Sequence, residues 1–288
     1  MNELKIIFMG TADLSCASLE KLAGTPGFEI AAVVTQPDRP KGRELKEQSS
    51  AVKMLAQRLG LPVLQPARAR DEKFIADLRA LEPDLIVVAA YGQILPQSIL
   101  DLPRHGCLNV HTSLLPRYRG AAPIQWALAN GDAETGVTIM KMDAGLDTGP
   151  ILAQRRTPIQ AADDSVTLHD RLARLGAELL VQTIPDYVAG KIQPQPQPAE
   201  GVSHAPKIKK EDGPSTRRST GDSRSRRTAL GGPSARTDGS RSSRASSARP
   251  QFQSHIMAVP IVLKPIDPSA MSRWCRAFVS DWRAGFAV

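Results

Sequence analysis

The sequence has 288 residues, of which 41% are apolar and 23% are charged, and this length can hold one large or two medium-sized domains with a substantial core. Its longest apolar runs, such as residues 85–90, are too short to span a membrane, and its first nine residues resemble a strand rather than a signal peptide. The 3 cysteines form no CxxC pair and no disulfide framework, which indicates the reducing cytoplasm.

The formal net charge of +8 comes mostly from one segment. Residues 214–250 contain nine Arg and two Asp without Lys or Glu, so they carry +7 of that charge. A basic chain usually suggests a nucleic-acid partner, but here the total says little about the remaining residues.

Strands and helices alternate through the first 190 residues. Short apolar runs rich in β-branched residues predict strands at 4–9, 29–35, 84–90, 107–111 and 137–142, and a weaker one at 151–156. Apolar residues at helical spacing predict helices at 51–59, 72–81 and 167–187, with Ser50 and Asp71 as N-caps of the first two. The alternation predicts an α/β domain over residues 1–190 with a doubly wound, mostly parallel sheet.

Beyond residue 190 the composition changes twice. Residues 191–213 are rich in Pro, Gln and Lys and are predicted to form an extended interdomain linker. Residues 214–250 consist almost entirely of Ser, Arg, Thr, Gly, Ala and Pro, which cannot offset the entropy of ordering a chain, so disorder is predicted there. Residues 251–288 regain apolar character but are too few to support a core alone.

Several cofactor classes are disfavoured by missing motifs. The first strand is followed by one glycine, Gly10, where a dinucleotide fingerprint needs three, and no phosphate-binding loop of the Gly-x-x-x-x-Gly-Lys type occurs. His105 and His111 lack zinc-ligand spacing and a nearby thiolate pair. Hydride transfer, NTP hydrolysis and metal-dependent hydrolysis are therefore disfavoured, and no metal is expected.

The strongest constellation of polar residues combines Asn109, His111 and Asp147. Ligands of doubly wound sheets bind beyond the carboxyl ends of strands, and three such ends are expected at residues 91–92, 109–111 and 143–149. Asn109 and His111 point to the same side of their strand, and a glycine-flanked loop can bring Asp147 beside them.

An amide, an imidazole and a carboxylate together suit the attack of an amine on a carbonyl group, because they can stabilise an oxyanion and move protons. Taken singly, such residues at strand ends and in glycine turns are more often structural. Neither Cys nor Ser is placed as an evident covalent nucleophile beside a base, so direct transfer is expected rather than an acyl-enzyme.

The run Asn-Val-His-Thr-Ser-Leu-Leu-Pro-Arg-Tyr-Arg-Gly at 109–120, followed by Asp-Thr-Gly at 147–149, resembles the signature of the formyltetrahydrofolate-dependent formyltransferases. The resemblance implies transfer of a formyl group from 10-formyltetrahydrofolate to an amine, with Asn109, His111 and Asp147 as the catalytic residues. It also implies that folate contacts Ser113, Leu114, Leu115, Pro116, Tyr91, Gly92 and Gln93, the last three through a pterin pocket formed largely by backbone groups.

Three segments resemble the branch of this family that acts on methionyl-tRNA: residues 35–43, 117–126 and 201–212. The first begins a basic loop, and the resemblance implies that Arg43 contacts the acceptor end of the tRNA. Arg39 and Lys41 in the same loop are further expected phosphate ligands. The remaining expectations are a cytoplasmic monomer whose partners are initiator methionyl-tRNA and folate.

The resemblance covers residues 1 to about 213 and then stops, where the family continues with a C-terminal β-barrel that helps to bind tRNA. A GC-rich gene read in a shifted frame would give the Arg/Ser bias that begins after Gly213, and reading the other two frames tests this hypothesis. Three alternatives remain open: a sister formyltransferase or hydrolase acting on a small molecule, an arginine-rich tail that binds RNA without folding, or a remnant with too little tRNA affinity.

Overall fold

A computed structural model describes residues 3–41 and 46–209 of the chain. Its strands are β1 Leu4–Gly10, β2 Phe28–Val34, β3 Arg39–Lys41, β4 Lys46–Gln48, β5 Val63–Leu64, β6 Leu85–Ala89, β7 Cys107–His111, β8 Glu134–Lys141 and β9 Ile151–Pro158. Its helices are α1 Leu14–Ala23, α2 Ala51–Arg58, α3 Glu72–Ala80, α4 Gln97–Leu100, α5 Pro123–Ala129 and α6 Ser165–Val188. The predictions for residues 214–288 lie outside the described residues.

Seven of the strands form one sheet in the order β5-β2-β1-β6-β7-β8-β9. The five strands from β5 to β7 run parallel, while β8 is antiparallel to β7 and β9 is antiparallel to β8. The predicted doubly wound, mostly parallel sheet is therefore confirmed. Within residues 3–41 and 46–209, no helix is long and apolar enough to cross a membrane.

Side chains of β1 alternate between two apolar clusters, one on each face of the sheet. Ile6 and Phe8 pack with residues of α1, α2 and α6, whereas Ile7 and Met9 pack with residues of α3 and α4. Successive side chains of a strand point to opposite faces. When helices cover both faces of the sheet, every side chain of the strand is buried and its sequence is an unbroken apolar run. This burial explains why the central strands were evident in the sequence.

Both predicted N-caps lie at the expected positions, but only one makes a side-chain cap hydrogen bond. Ser50 caps α2, since its side chain accepts a hydrogen bond from the backbone N of Lys53. Asp71 precedes α3 but makes no side-chain cap hydrogen bond, because its carboxylate accepts the backbone N of Arg68 instead, at 3.3 Å. The predicted N-cap position of Asp71 is therefore confirmed, but its side chain does not bond the first turn of α3.

Helices α1, α4 and α5 and the short strand β5 were not predicted. In α1 the buried face contains Ser15 and Ser18 among its leucines, so the apolar periodicity is interrupted by small polar residues. The Ser15 hydroxyl is satisfied by the carbonyl oxygen of Ala89 in β6, at 2.7 Å. Tertiary hydrogen bonding thus allows a polar residue at a core position.

Helix α6 covers the sheet over β7 and β8 and begins with a capping box formed by Asp164 and Thr167. Gly176 lies where the helix comes closest to β7, and a Cβ at this position would be 2.9 Å from Cγ1 of Val110. The glycine therefore permits close packing against Val110, the residue of β7 between Asn109 and His111.

Candidate active site

Strand β7 places two of the predicted catalytic residues on one side of the sheet, because Asn109 and His111 are separated by one residue. The loop carrying Asp147 arrives differently from the prediction. Since β8 runs antiparallel to β7, Leu108 pairs with Lys141, and the end of β8 lies beside the start of β7. The sequence predicted that residues 143–149 follow a parallel strand. They follow an antiparallel strand instead. The loop instead folds back over the side chain of Asn109.

The carboxylate of Asp147 lies among three polar groups. Its Oδ1 accepts a hydrogen bond from Nδ2 of Asn109 at 3.3 Å, and its Oδ2 accepts the backbone N of Gly120 at 2.8 Å. Nδ1 of His111 is 3.7 Å from Oδ2, and the two side chains are only 7% and 14% exposed. The structure thus brings together all three residues that the sequence singled out.

The ring of His111 is oriented by a backbone carbonyl. Its Nε2 lies 2.9 Å from the carbonyl oxygen of Tyr118. A carbonyl oxygen can only accept, so Nε2 carries a hydrogen and donates it. Nδ1 is therefore the ring atom that faces Asp147, and a proton on Nδ1 gives the ring a positive charge beside the carboxylate.

Tyr118 is a residue of the site that the sequence reasoning did not assign a role. Its backbone has a positive φ of 61°. Its hydroxyl donates to Oδ2 of Asp132 at 2.7 Å and accepts from Nδ2 of Asn130 at 2.9 Å, while its backbone N donates to the Ser203 hydroxyl at 2.9 Å. These contacts fix the carbonyl that orients His111. The only sequence signal was the position of Tyr118 within the motif at 109–120.

Residues 195–206, here called the strap, lie within the predicted linker and are bonded to the catalytic domain. The strap forms a bridge with the start of β9 and a second bridge with the loop after β7. Its backbone hydrogen bonds join Gln195 to Ile151, Ser203 to Pro116 and Arg119, and Ala205 to Arg119 and Ala122. The strap therefore holds both loops that surround the carboxylate of Asp147.

The four residues expected to contact folate after β7 differ in accessibility. Ser113 and Leu115 are buried, and the Ser113 hydroxyl donates to the carbonyl oxygen of Arg117 at 2.6 Å. Leu114 and Pro116 are partly exposed. The side chains available to a ligand in this segment are therefore those of Leu114 and Pro116.

The segment after β6 presents its backbone rather than the Tyr91 side chain. Gly92 is exposed and has a positive φ of 81°. Oε1 of Gln93 accepts the backbone N of Ala69 at 2.8 Å, which holds the loop. Tyr91 is 2% exposed, and its backbone carbonyl accepts hydrogen bonds from Thr11 and Gln36.

The Tyr91 hydroxyl has no hydrogen-bond partner within the described part of the chain, and burial raises the pKa of this phenol to about 12. We expect Tyr91→Phe to leave the free energy of unfolding unchanged or to raise it by up to ~1 kcal/mol, because it removes an unpaired buried group. Tyr118→Phe is the matched control, because it removes a bonded hydroxyl at a cost of about 1 kcal/mol or more. Urea unfolding of both variants tests this, and a larger loss in Tyr91→Phe would contradict it.

The thiols of Cys16 and Cys107 are poor nucleophiles because burial disfavours their ionised form. Burial raises the pKa of the Cys107 thiol to about 12 and that of Cys16 to about 11. The Cys107 thiol lies 3.6 Å from the carbonyl oxygen of Ile99, to which it donates. Both thiols stay protonated at neutral pH, which agrees with transfer that does not use a thiolate of either residue.

The predicted tRNA-binding segment includes two short paired strands, here called the β3–β4 hairpin, on either side of residues 42–45, which lie outside the described residues. Strands β3 and β4 pair antiparallel, with Arg39 opposite Gln48 and Lys41 opposite Lys46. Arg43 lies outside the described residues. At the base of the hairpin, the Asp38 carboxylate accepts hydrogen bonds from Lys53, at 2.5 Å, and from Gln65 and Ser49, and its pKa is lowered chiefly by the first two.

Gly149 lies at the end of the loop that carries Asp147, where a Cβ would overlap the Lys141 carbonyl oxygen and lie 3.2 Å from the Met140 methyl group. We expect Gly149→Ala to cost about 1–3 kcal/mol of stability and to reduce turnover, because the loop must move and take Asp147 with it. Gly24→Ala is the control, since its Cβ would have only an ordinary contact of 3.4 Å with Glu20. Thermal unfolding and turnover measured on both variants provide the test, and equal behaviour would contradict this packing.

Comparison with known proteins decides the family. The family described as formyl transferase matches residues 4–184. The chain belongs to the formyl transferase family. The site therefore belongs to a formyltransferase enzyme, and the resemblance inferred from the motif at 109–120 is confirmed.

Relatives of this formyl transferase include two bacterial proteins named methionyl-tRNA formyltransferase. That of Geobacter sulfurreducens is 54% identical over 213 residues, which are 74% of this chain and 67% of the relative. That of Myxococcus xanthus is 51% identical over 213 residues, with 74% and 68% covered. The chain thus matches about two thirds of the length of these relatives.

Solved structures with the same fold include other formyltransferases. Phosphoribosylglycinamide formyltransferase from Anaplasma phagocytophilum has a TM-score of 0.58 at 22% identity, covering 72% of this chain and 100% of that one. A sugar 3N-formyl transferase solved in the presence of dTDP and 5-N-formyl-THF has a TM-score of 0.54 at 20% identity, covering 72% and 70%. At this identity the similarity establishes the fold alone.

Proposed function

We propose that this chain transfers the formyl group of 10-formyltetrahydrofolate to the amino group of initiator methionyl-tRNA. The observation that carries the proposal is the cluster of Asn109, His111 and Asp147 in a chain whose formyl transferase relatives are named for methionyl-tRNA. These relatives support the tRNA branch over small-molecule acceptors. The reaction belongs to the cytoplasm, where translation begins.

In the proposed reaction, the methionyl amine attacks the formyl carbon and the carbonyl oxygen gains negative charge. The amide of Asn109 and the protonated ring of His111 face the same side of β7 and stabilise this oxyanion. Because both side chains are held by neighbouring groups before the substrates arrive, little reorganisation is needed as the charge develops.

Asp147 and His111 are proposed to carry the two protons that move during the transfer. The carboxylate of Asp147 accepts the proton that the attacking amine loses, and it also holds a positive charge on His111. His111 gives the proton on Nδ1 to the folate nitrogen as the bond from that nitrogen to the formyl carbon breaks. The proton on Asp147 then passes to Nδ1 of His111, 3.7 Å from its Oδ2, which restores both groups, so the overall transfer needs no external acid or base.

The surroundings of the cluster suit a flat heteroaromatic donor. Ala90 and Gly92 are exposed residues with positive φ, and their backbone groups are the proposed contacts for the polar edge of a pterin ring. Ile94, in the loop proposed to bind the pterin, is 87% exposed, and Leu146, in the loop that carries Asp147, is 63% exposed. Leu114 and Pro116 are the remaining proposed contacts, and the side chain of Tyr91 is not one.

The hairpin β3–β4 is proposed to contact the tRNA through Arg39, Lys41 and Arg43. Phosphate contacts by Arg and Lys make affinity depend on salt, because counterions are released on binding. The Asp38 network at the base of the hairpin supports this role by fixing the hairpin's junction to α2.

Formyl transfer measured with three acceptors tests the proposal. Methionyl-tRNA is expected to be formylated with the highest kcat/KM, whereas phosphoribosylglycinamide and an aminosugar nucleotide are expected to be poor acceptors. Preference for either small molecule would reject the tRNA proposal and favour a sister enzyme. A chain ending at Gly213, assayed in parallel, reports whether residues 214–288 contribute to the activity.

A further inference from the structure

Gln197 reaches the active site from the strap. Its Nε2 donates to the backbone carbonyl oxygens of Asp147 and Gly149, both at 2.8 Å. Its Oε1 accepts from Nε and Nη2 of Arg119, at 3.1 and 2.7 Å. Both hydrogens and both lone pairs of the amide are therefore used, which is the full bonding capacity of a glutamine side chain.

The chemistry of these partners fixes the orientation of the Gln197 amide. Backbone carbonyls can only accept hydrogen bonds, and the Arg119 guanidinium can only donate them. If the amide were flipped, its oxygen would face the carbonyl oxygens of Asp147 and Gly149, and its NH₂ group would face the Arg119 guanidinium. The bonding pattern thus requires an amide at position 197. A carboxylate could accept from Arg119 but could not donate to the two carbonyl oxygens.

Asp147 needs such support because of its backbone. Its φ is +52°, a left-handed conformation that non-glycine residues rarely adopt. The residues on either side of it, Leu146 and Thr148, are exposed and give the loop little packing. The two carbonyls bonded by Gln197 flank Thr148, so one side chain holds the turn on which the carboxylate is carried.

Gln197 also joins the two loops that meet at the carboxylate. Arg119, its second partner, precedes Gly120, whose backbone N donates to Oδ2 of Asp147 at 2.8 Å. The backbone of Arg119 is itself bonded to Ser203 and Ala205 of the strap. Both ends of the hydrogen bond from Gly120 to Asp147 are therefore held through the same glutamine.

We propose that Gln197 is a positioning residue for formyl transfer, which holds Asp147 so that its carboxylate stays beside His111, Asn109 and Gly120. The inference rests on the proposed function for its catalytic consequence, but the held loop is a separate physical property. A linker residue thereby takes part in the geometry of the catalytic carboxylate without touching the reacting atoms.

The first test compares Gln197→Ala with Gln195→Ala in the full chain. The side chain of Gln195 is exposed and donates to the backbone carbonyl oxygen of its neighbour Gln193, so its loss removes an amide without touching the site. We expect kcat with methionyl-tRNA to fall about 10- to 100-fold in Gln197→Ala, the usual scale for residues that orient a catalytic group. The KM values for donor and tRNA stay close to those of the parent chain, and Gln195→Ala behaves as the parent.

Gln197→Glu separates the contact with Arg119 from the contacts with the carbonyl oxygens of Asp147 and Gly149. Glutamate keeps an oxygen for Arg119 but has no hydrogen for the carbonyls of Asp147 and Gly149. Positioning of Asp147 requires that Glu fail to rescue kcat and behave like Ala. If Glu restores full kcat, the tether to Arg119 alone is what matters and the proposal is overturned.

Hydrogen exchange gives a readout that does not depend on activity. Amides in residues 143–151 are expected to exchange faster in Gln197→Ala and Gln197→Glu than in Gln195→Ala, with unchanged melting temperatures. Unchanged exchange overturns the proposal even if activity falls. A parent chain that fails to formylate methionyl-tRNA rejects the proposed function, whereas faster exchange in the same experiment still supports the positioning of Asp147 by Gln197.

Discussion

Asp147→Asn is expected to lower the turnover of formyl transfer about 10²- to 10⁴-fold, the range found when acid–base or oxyanion groups are removed. Asparagine has nearly the same shape and its oxygen can still accept the backbone N of Gly120. It cannot take a proton from the amine, and it removes the negative charge beside His111. Single-turnover formylation with saturating donor measures this loss directly.

Asp143→Asn is the matched control because Asp143 lies in the same loop and undergoes the same chemical change. Its Oδ1 accepts the backbone N of Gly145 at 3.0 Å and the hydroxyl of Thr148 at 2.7 Å. An asparagine oxygen can accept both, so turnover is expected to stay within about twofold, as is usual for exposed substitutions. Similar turnover in the two variants would show that Asp147 is not the catalytic carboxylate.

His111→Ala is expected to lower turnover by a similar factor of about 10²–10⁴, since it removes both a positive charge at the oxyanion and the proton donor for the leaving nitrogen. The imidazole lies in a nearly closed site, 6% exposed, between the Tyr118 carbonyl and Asp147. The substitution therefore leaves a cavity of imidazole shape. Added imidazole should restore part of the lost rate, which a purely structural histidine would not allow.

His169→Ala provides the comparison for His111→Ala. His169 also lies beside a carboxylate, with its Nδ1 3.0 Å from Oδ1 of Asp170, but on helix α6. Its removal is expected to leave turnover unchanged and to give no response to imidazole. Near-normal turnover of His111→Ala in the same assay would reject the assignment of His111.

The sheet and the clustering of Asn109, His111 and Asp147 were largely predictable from the sequence. Strand β7 was placed with its observed bounds because its residues are apolar except at Asn109 and His111. The side shared by these two residues follows from the two-residue period of a strand, which does not depend on the rest of the fold. Asp147 was identified from its glycine-flanked loop and from the family motif.

Long-range hydrogen bonding was not predictable from the sequence. The antiparallel direction of β8 depends on pairing across the sheet, and local periodicity is the same for both directions. Gln197 is one of several glutamines in a Pro/Gln segment, and only its tertiary contacts with Asp147 and Arg119 distinguish it from Gln195. The role of Tyr118 depends on its backbone carbonyl, which every residue has.

The attachment of the strap limits how far the following chain can travel. At Pro206, the backbone carbonyl oxygen accepts the indole NH of Trp126 at 2.8 Å. Residues 207–213 can extend at most about 25 Å, at roughly 3.3–3.6 Å per residue. Residue 213 therefore lies within that distance of Pro206, and under the proposed function a tRNA contacted there would meet the formyl donor at a high effective concentration.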